Sequence, residues 1–152
     1  MFFEDTCKLD DFNCTHLRYA MCVKMLRRAV REAKALAKSK KLDFDTIVFR
    51  GISGAIWGTA MAMALNKNMA VVRKPNDDTH SSGIKVEGHK KIHRYLIVDD
   101  FTSTGHTVRE ILKQMREARP DAKCVGLLQL LRQPCQGYSE RETFKTLKEI
   151  ED

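Results

Sequence analysis

The stretch 95-YLIVDDFTSTGHTV-108 leads from four apolar or aromatic residues to two adjacent aspartates, and then to a turn rich in hydroxyl side chains. The run Tyr95–Val98 predicts a buried strand, and residues from about Gly105 to Ala118 predict a helix. The turn therefore enters a helix N-terminus, where backbone N–H groups and the helix dipole favour a phosphate. It lacks the Gly-Lys-Ser or Gly-Lys-Thr of a Walker loop.

Asp99 and Asp100 stand at the mouth of this turn, where two carboxylates would repel a phosphate. Either a divalent cation or sugar hydroxyls that need acceptors would remove the conflict. A ribose phosphate carries hydroxyls next to its phosphate, and Mg²⁺ can share such a site. The stretch therefore predicts carboxylates that hold a ribose and a turn that holds its phosphate.

Strand and helix patterns alternate along the rest of the chain. Further strands are predicted at Asp45–Gly51, Met69–Pro75 and Lys123–Leu131, and further helices at Ser53–Asn68 and near Glu140–Ile150, whereas Asn76–Lys91 shows no periodicity. This alternation predicts an α/β fold, a single-domain parallel sheet flanked by helices. Ligands bind beyond the carboxyl ends of such strands, and three strands end in Arg50-Gly51, Arg73-Lys74 and Asp99-Asp100.

The segment His16–Lys41 carries nine lysines or arginines and one acid, Glu32. Its apolar residues recur at helical spacing and predict an amphipathic helix: Leu17, Met21, Met25, Ala29, Ala33 and Leu36. The basic side chains are then expected in water: Arg27, Arg28, Arg31, Lys34 and Lys38. A basic face can also contact RNA, but no aromatic residue interleaves this one, so nucleic-acid binding is the less favoured interpretation.

Length and composition describe an ordinary globular protein of 152 residues, with 43% hydrophobic and 31% charged residues. No apolar run approaches a membrane span, and Met1–Phe12 lacks the features of a signal peptide. The five cysteines are an odd number without a CxxC pair, which favours reduced thiols and a cytoplasmic protein. A zinc site from Cys7, Cys14, His16 and Cys22 is not favoured, because their spacing matches no zinc pattern.

The stretch Tyr95–Val108 resembles the signature of the type I phosphoribosyltransferases, which bind 5-phosphoribosyl 1-pyrophosphate (PRPP). The order of the elements extends the resemblance from about Asp45 to Leu131. It implies that Asp99 and Asp100 hold the ribose hydroxyls and take part in catalysis. It also implies that the 5′-phosphate is gripped by the residues that follow them, Phe101, Thr102, Ser103, Thr104, Gly105, His106 and Thr107.

The same resemblance implies a pyrophosphate site. The turn Phe49–Gly54 is similar to the family's pyrophosphate loop, in which a strained, often cis, peptide presents backbone N–H groups. The residues implied in pyrophosphate binding are Arg50, Gly51, Ile52, Arg73 and Lys74, with Lys74 also catalytic. Residues 76–91 fall where the family carries a mobile lid, with His80, Ser81 and Ser82 as its functional residues. Asp77 stands where the lid of orotate enzymes carries a catalytic lysine.

The resemblance implies transfer of 5-phosphoribose from PRPP to a nitrogenous base, with release of pyrophosphate, Mg²⁺ as cofactor and a homodimeric assembly. The expected domain is 1–152, with a core at 44–131 and a small hood from 1–43 and 132–152. Weak candidates for base contact are Leu131, Arg132 and Gln133. Ser103 occupies the position of a third acid in 6-oxopurine enzymes, so orotate-like or adenine-like acceptors are favoured.

Two alternatives remain beside this interpretation. The glycines at 51, 54 and 58 resemble a degenerate dinucleotide fingerprint, which ranks lower because the GxGxxG spacing is absent. A regulatory protein of the same fold would bind PRPP or a nucleotide and contact RNA through the basic helix.

Overall fold

The computed structural model describes residues 23–77, 83–99, 105–129 and 143–152. Within these ranges the elements are α1 (Val23–Ser39), β1 (Thr46–Phe49), α2 (Gly51–Leu65), β2 (Asn68–Val72), β3 (Val86–Gly88), β4 (Arg94–Asp99), α3 (His106–Ala118), β5 (Lys123–Gln129), β6 (Thr143–Lys145) and α4 (Leu147–Glu151).

The strands form one six-stranded sheet in the order β3-β2-β1-β4-β5-β6. β1 runs parallel to β2 and β4, and β4 runs parallel to β5, whereas β3 and β6 are antiparallel to their neighbours. The carboxyl ends of β1, β2, β4 and β5 therefore meet at one edge of the sheet. The predicted α/β fold is confirmed, as a mostly parallel sheet with antiparallel outer strands.

Helices cover both faces, because successive strand residues point to opposite sides of a sheet. On one face, residues of α1 and α2 such as Ala33 and Trp57 pack with Leu96 of β4. On the other face, Ile111 of α3 packs with Ile97 of β4. Trp57 is fully buried, so it is a core residue and its ring is not exposed for stacking on a base.

The amphipathic pattern of α1 is confirmed by its burial. Ala29, Ala33 and Ala37 are buried at a spacing of one helical turn, so this stripe lets the helix approach the sheet layer closely. The predicted basic side chains, Arg27, Arg28, Arg31, Lys34 and Lys38, are exposed. The first residues predicted for this helix, before Val23, lie outside the described residues, as do Cys7, Cys14, His16 and Cys22.

Two short strands correct the sequence interpretation. Val86–Gly88, predicted to be irregular as part of 76–91, is β3, whose buried Val86 lies opposite Val72. Thr143–Lys145, predicted to be helical, is β6, which pairs with β5. Both strands have only three residues, so their stability depends on the neighbouring strand, which local periodicity does not report.

The last helix is correspondingly shorter than predicted. α4 begins after Thr146, whose side chain accepts the N–H of Glu149 while the Glu149 carboxylate accepts the N–H of Thr146. This reciprocal capping box fixes the start of a helix. The Thr-x-x-Glu spacing was present in the sequence, and it separates β6 from the helix.

Cys124 is the one cysteine in the described residues, and its thiol is free. Burial raises the pKa of this thiol to about 11, so it stays protonated and unreactive at neutral pH.

α2 lies so close to β1 that one of its glycines has no room for a side chain. A Cβ atom on Gly58 would stand 2.3 Å from Cδ1 of Phe49, whereas one on Gly54 would make an ordinary contact of 3.5 Å with Cβ of Phe49. We expect Gly58→Ala to lower the free energy of unfolding by about 2 kcal/mol through overpacking. The matched change Gly54→Ala should leave it unchanged or raise it by up to about 1 kcal/mol, because alanine favours a helix.

Chemical denaturation of the two variants measures this difference. Equal effects of the two substitutions would contradict the close approach of α2 to β1.

Candidate active site

The predicted strand-end residues meet at the carboxyl edge of the parallel strands. Arg50 follows β1, Arg73 and Lys74 follow β2, and Asp99 ends β4. Since β2, β1 and β4 are neighbours in the sheet, three charged groups that are distant in sequence come together. The sheet order therefore builds the site from the residues that sequence reasoning selected at these three strand ends.

The β1–α2 junction consists of a single residue. Arg50 is extended, with φ −143° and ψ 141°, and Gly51 begins the helix with φ +74°, a conformation that favours glycine. Arg50 makes no side-chain cap bond, and the first N–H groups of a helix have no intrahelical acceptor. The predicted pyrophosphate turn Phe49–Gly54 is thus a strand end and a helix N-terminus, which is a suitable site for an anion.

The cis form that the resemblance often implies for this turn is not found among the described residues. The peptide bonds of the described residues contain no cis bond. The positive φ of Gly51 instead turns the chain sharply from strand to helix.

Lys74 lies against this helix N-terminus. A Cβ atom placed on Gly51 would stand 3.5 Å from Cε and 3.6 Å from Nζ of Lys74. Lys74 itself begins a tight turn, because its N–H donates to Oδ2 of Asp77 at 2.8 Å and its carbonyl accepts the N–H of Asp77 at 3.1 Å. An ammonium group and a helix dipole therefore act on the same small volume.

A cleft of about 320 Å³ opens at this position. Its walls are formed by Arg50, Arg73, Lys74, Pro75, Asp77, Gly83, Ile84, Lys85, Glu110 and Gln114. Four of these side chains are cationic and two are anionic, so the walls favour a ligand of net negative charge. Gly83, Ile84 and Lys85 bring the middle of the predicted lid segment, 76–91, to the same cleft.

Two polar atoms of the cleft residues are buried and have no hydrogen-bond partner: Nε of Arg50, a donor, and Oε1 of Gln114, an acceptor. Buried polar groups are rarely left unpaired, so a bound ligand or water that reaches both would satisfy them. Gln114 lies two turns into α3, and sequence reasoning did not select it because nothing in its own helix marks it.

Arg73 is held by a carboxylate that sequence reasoning also missed. Its Nε donates to Oε1 of Glu87 at 3.0 Å, and its Nη2 donates to Oε2 of Glu87 at 3.2 Å. Both side chains are about one third exposed. Glu87 lies on β3, so the pair depends on a strand that periodicity did not predict.

Asp99 is 5% exposed at the end of β4. Its partner in register on β5 is Gln129, which is also buried. Two buried polar side chains thus stand together at the carboxyl edge, where a core would otherwise be apolar. The residue pattern within β4 predicts Asp99, but no pattern within β5 marks Gln129. Its position beside Asp99 depends on the shifted register between the two strands.

The phosphate turn is described only at its end. Gly105 precedes α3, and His106 and Thr107 form the first turn of that helix, as predicted. A Cβ atom on Gly105 would stand 3.0 Å from Nη1 of Arg109, so a guanidinium lies against this helix N-terminus as well. Asp100, Phe101, Thr102, Ser103 and Thr104 lie outside the described residues.

Several other predicted residues lie outside them too: His80, Ser81 and Ser82 of the lid, and Leu131, Arg132 and Gln133 for the base. Within residues 23–77, 83–99, 105–129 and 143–152, no group of three His, Cys, Asp or Glu side chains is placed to hold a metal ion. Across those same ranges, no helix combines the length and the apolar character that a membrane crossing requires.

Known proteins are similar to this chain in both sequence and architecture. A sequence model of the phosphoribosyl transferase domain matches residues 23–152. Orotate phosphoribosyltransferase of Pyrococcus furiosus is 28% identical over 123 residues, which cover 80% of this chain and 67% of that protein. Adenine phosphoribosyltransferase of Ureaplasma parvum is 33% identical over 110 residues, which cover 63% of this chain and 62% of that protein.

Solved structures show the same fold. Orotate phosphoribosyltransferase from Aeropyrum pernix superposes with a TM-score of 0.61 at 19% identity, over 79% of this chain and 66% of that one. Adenine phosphoribosyltransferase from Thermoanaerobacter pseudethanolicus superposes with a TM-score of 0.55 at 23% identity, over 72% of this chain and 68% of that one. The chain spans about two thirds of the length of the relatives it matches.

Proposed function

This chain belongs to the phosphoribosyltransferase family, and from that premise we propose that it transfers 5-phosphoribose from PRPP to a nitrogenous base and releases pyrophosphate. One observation carries the proposal: Arg50, Arg73 and Lys74, implied in pyrophosphate binding by the sequence, line a single cleft. Lys74 of this cleft also lies against Gly51, the first residue of α2.

In the proposed complex the pyrophosphate of PRPP lies in this cleft. The N–H groups of Gly51 and Ile52 face it at the start of α2, and Lys74 and Arg50 supply positive charge. Such groups are fixed before the reaction begins, so they stabilise the charge that develops on the leaving pyrophosphate without reorganisation. Arg73 completes the cationic wall.

The ribose 5-phosphate portion is assigned to Asp99–Thr107. Asp99 and Asp100 would accept hydrogen bonds from the ribose hydroxyls, and the N-terminal turn of α3 would hold the 5′-phosphate. Two carboxylates beside the ribose also favour the positive charge that forms on the ring when the bond at the anomeric carbon breaks. The protein's part in the reaction is therefore orientation and charge stabilisation, with no covalent intermediate.

Mg²⁺ is the proposed cofactor. Mg²⁺ usually keeps several waters and binds to substrate phosphates rather than in a cage built only of protein ligands, and the pyrophosphate of PRPP suits that pattern. When bound with PRPP, Mg²⁺ neutralises charge on the leaving pyrophosphate. Asp99 and Asp100 would hold it indirectly, through the ribose hydroxyls of PRPP.

The lid is proposed from the segment 76–91, of which Val86–Gly88 is β3, with His80, Ser81 and Ser82 as its functional residues. Residues of this segment line the cleft, Asp77 near its start and Gly83 and Ile84 near its middle. Closure over PRPP would exclude water from a reaction that water would otherwise divert to hydrolysis. Residues 1–43 and 132–152 are proposed to form the hood, with Leu131, Arg132 and Gln133 beside the base.

A cytoplasmic homodimer is the proposed assembly. α2 is apolar on all sides, and a helix of that kind is normally buried. Ile52 and Met63 on its outer face are nevertheless 72% and 78% exposed in the described part of the chain. A second copy packed on this face would cover them, and sedimentation equilibrium should then give a dimer mass that Met63→Glu lowers toward the monomer.

Release of pyrophosphate tests the proposed activity. The chain is mixed with Mg²⁺, PRPP and either orotate or adenine, and pyrophosphate is measured with a coupled assay. We expect release that depends on both PRPP and one of the bases. Binding of PRPP without turnover of any base would favour the regulatory alternative, and absence of PRPP binding would contradict the proposal as a whole.

A further inference from the structure

Arg73 directly follows Val72, the last residue of β2. Its N–H donates to the carbonyl of Lys85 at 2.8 Å, which places a second cation directly across the ladder. Glu87 lies opposite Val71 in the register of β2 and β3, one diagonal step from Arg73. A carboxylate at this diagonal lies within reach of a long side chain such as that of Arg73.

The contact between Glu87 and Arg73 is a fork. Glu87 takes one N–H from Nε and one from Nη2, at 3.0 and 3.2 Å. A guanidinium has further N–H groups in the same plane, those of Nη1 among them, and these make no bond to Glu87. Arg73 also lines the cleft. Glu87 therefore holds one edge of the guanidinium, and the N–H groups on the other edge can bind an anion in the cleft.

From this geometry we infer that Glu87 is a positioning residue for the pyrophosphate of PRPP, which it serves by fixing the guanidinium of Arg73. The inference rests on the proposed function, and it assigns a role to a residue on β3. Glu87 itself is not among the residues that line the cleft. Its effect on binding must therefore pass through Arg73, because a preorganised cation loses less side-chain freedom when the ligand arrives.

A competing role of Glu87 would predict the opposite change in PRPP affinity. If Glu87 merely competed with pyrophosphate for Arg73, its removal would free a cation, make the cleft more positive and tighten the binding of PRPP. If Glu87 positions Arg73, its removal leaves the guanidinium disordered and weakens binding. The sign of the change in Kd therefore separates the two roles.

Glu87→Gln is the informative substitution, because it keeps the size of the side chain and removes its charge. The amide oxygen accepts one N–H of Arg73, whereas the amide nitrogen cannot accept the other. We expect the Kd of PRPP, measured by calorimetry with Mg²⁺, to rise on the order of tenfold, the usual effect of a lost bond to a charged group. The Kd of pyrophosphate should rise by the same factor, and the Kd of ribose 5-phosphate should not change.

A double-substitution cycle shows whether the effect passes through Arg73. In the Arg73→Ala background, Glu87→Gln should change the Kd of PRPP by less than about twofold, because nothing is left to position. A merely structural role of Glu87 would persist in that background and would weaken ribose 5-phosphate binding too. Glu151→Gln is the matched control, since Glu151 pairs with Arg116 and neither residue lines the cleft.

The outcomes are distinct. Tighter PRPP binding by Glu87→Gln, or an equal loss in the presence and absence of Arg73, would overturn the role of Glu87 and leave the proposed function standing. Failure of the unsubstituted chain to bind PRPP, pyrophosphate or ribose 5-phosphate with Mg²⁺ would overturn both. Thermal unfolding of each variant verifies that the compared proteins are folded.

Discussion

Replacing Asp99 and Asp100 together by Asn is expected to abolish turnover of PRPP while the fold remains intact. Asparagine matches the shape of aspartate, so the packing at the end of β4 is preserved. The negative charges that would bind the ribose hydroxyls and favour a cationic ring are lost. Removal of one such preorganised electrostatic group commonly costs a hundredfold to a thousandfold in rate, and we expect a loss on the order of a thousandfold or more.

A matched double variant controls for the change in net charge. Asp43→Asn with Asp121→Asn removes the same two charges from exposed positions that precede β1 and β5, at the opposite edge of the sheet. It should retain turnover. Unchanged PRPP affinity of the Asp99→Asn, Asp100→Asn variant by calorimetry would rule out the assignment of this pair to the ribose.

The second large effect concerns the acceptor. In 6-oxopurine phosphoribosyltransferases a third acid lies three residues after the second acid of the signature and is the usual candidate base, and here that position is Ser103. A serine hydroxyl does not accept a proton at neutral pH. General bases contribute about a hundredfold to ten-thousandfold to rates, so kcat/KM for guanine and hypoxanthine should fall at least about a hundredfold below the value for orotate or adenine.

Steady-state rates with the four bases at saturating PRPP measure this ratio. The relatives described above are named for orotate and adenine, which agrees with the expected preference. Efficient nucleotide formation from guanine or hypoxanthine, with orotate and adenine inert, would show that Ser103 does not report the acceptor class.

The sequence predicted those parts of the molecule that are encoded locally. Apolar runs placed the four parallel strands, helical patterns placed α1 and α3, and a run rich in small apolar residues placed α2, because each pattern is local to one element. A charged residue after a buried strand is ordinary by itself, but three such strand ends share the edge of a parallel sheet at which ligands bind. Arg50, Arg73 and Lys74 were therefore found without knowledge of which strands are neighbours.

The remainder depends on pairing between distant segments. Glu87 matters because β3 lies beside β2, and Gln129 matters because a shifted register places it beside Asp99. Neither strand pairing can be read from a local stretch of about a dozen residues, because the paired strands are further apart in the sequence. Gln114 similarly becomes a cleft residue only when α3 packs across the sheet, so its unpaired oxygen has no counterpart in the sequence pattern.

The two antiparallel outer strands have a consequence for the solubility of the chain. An open sheet edge exposes N–H and C=O groups that can recruit a strand from another molecule. β2 and β5 are longer and more apolar than β3 and β6, each of which has three residues. β3 and β6 therefore pair with the open edges of β2 and β5 and end the sheet with short strands. We expect the chain to be most prone to aggregation during folding, before these two strands have paired.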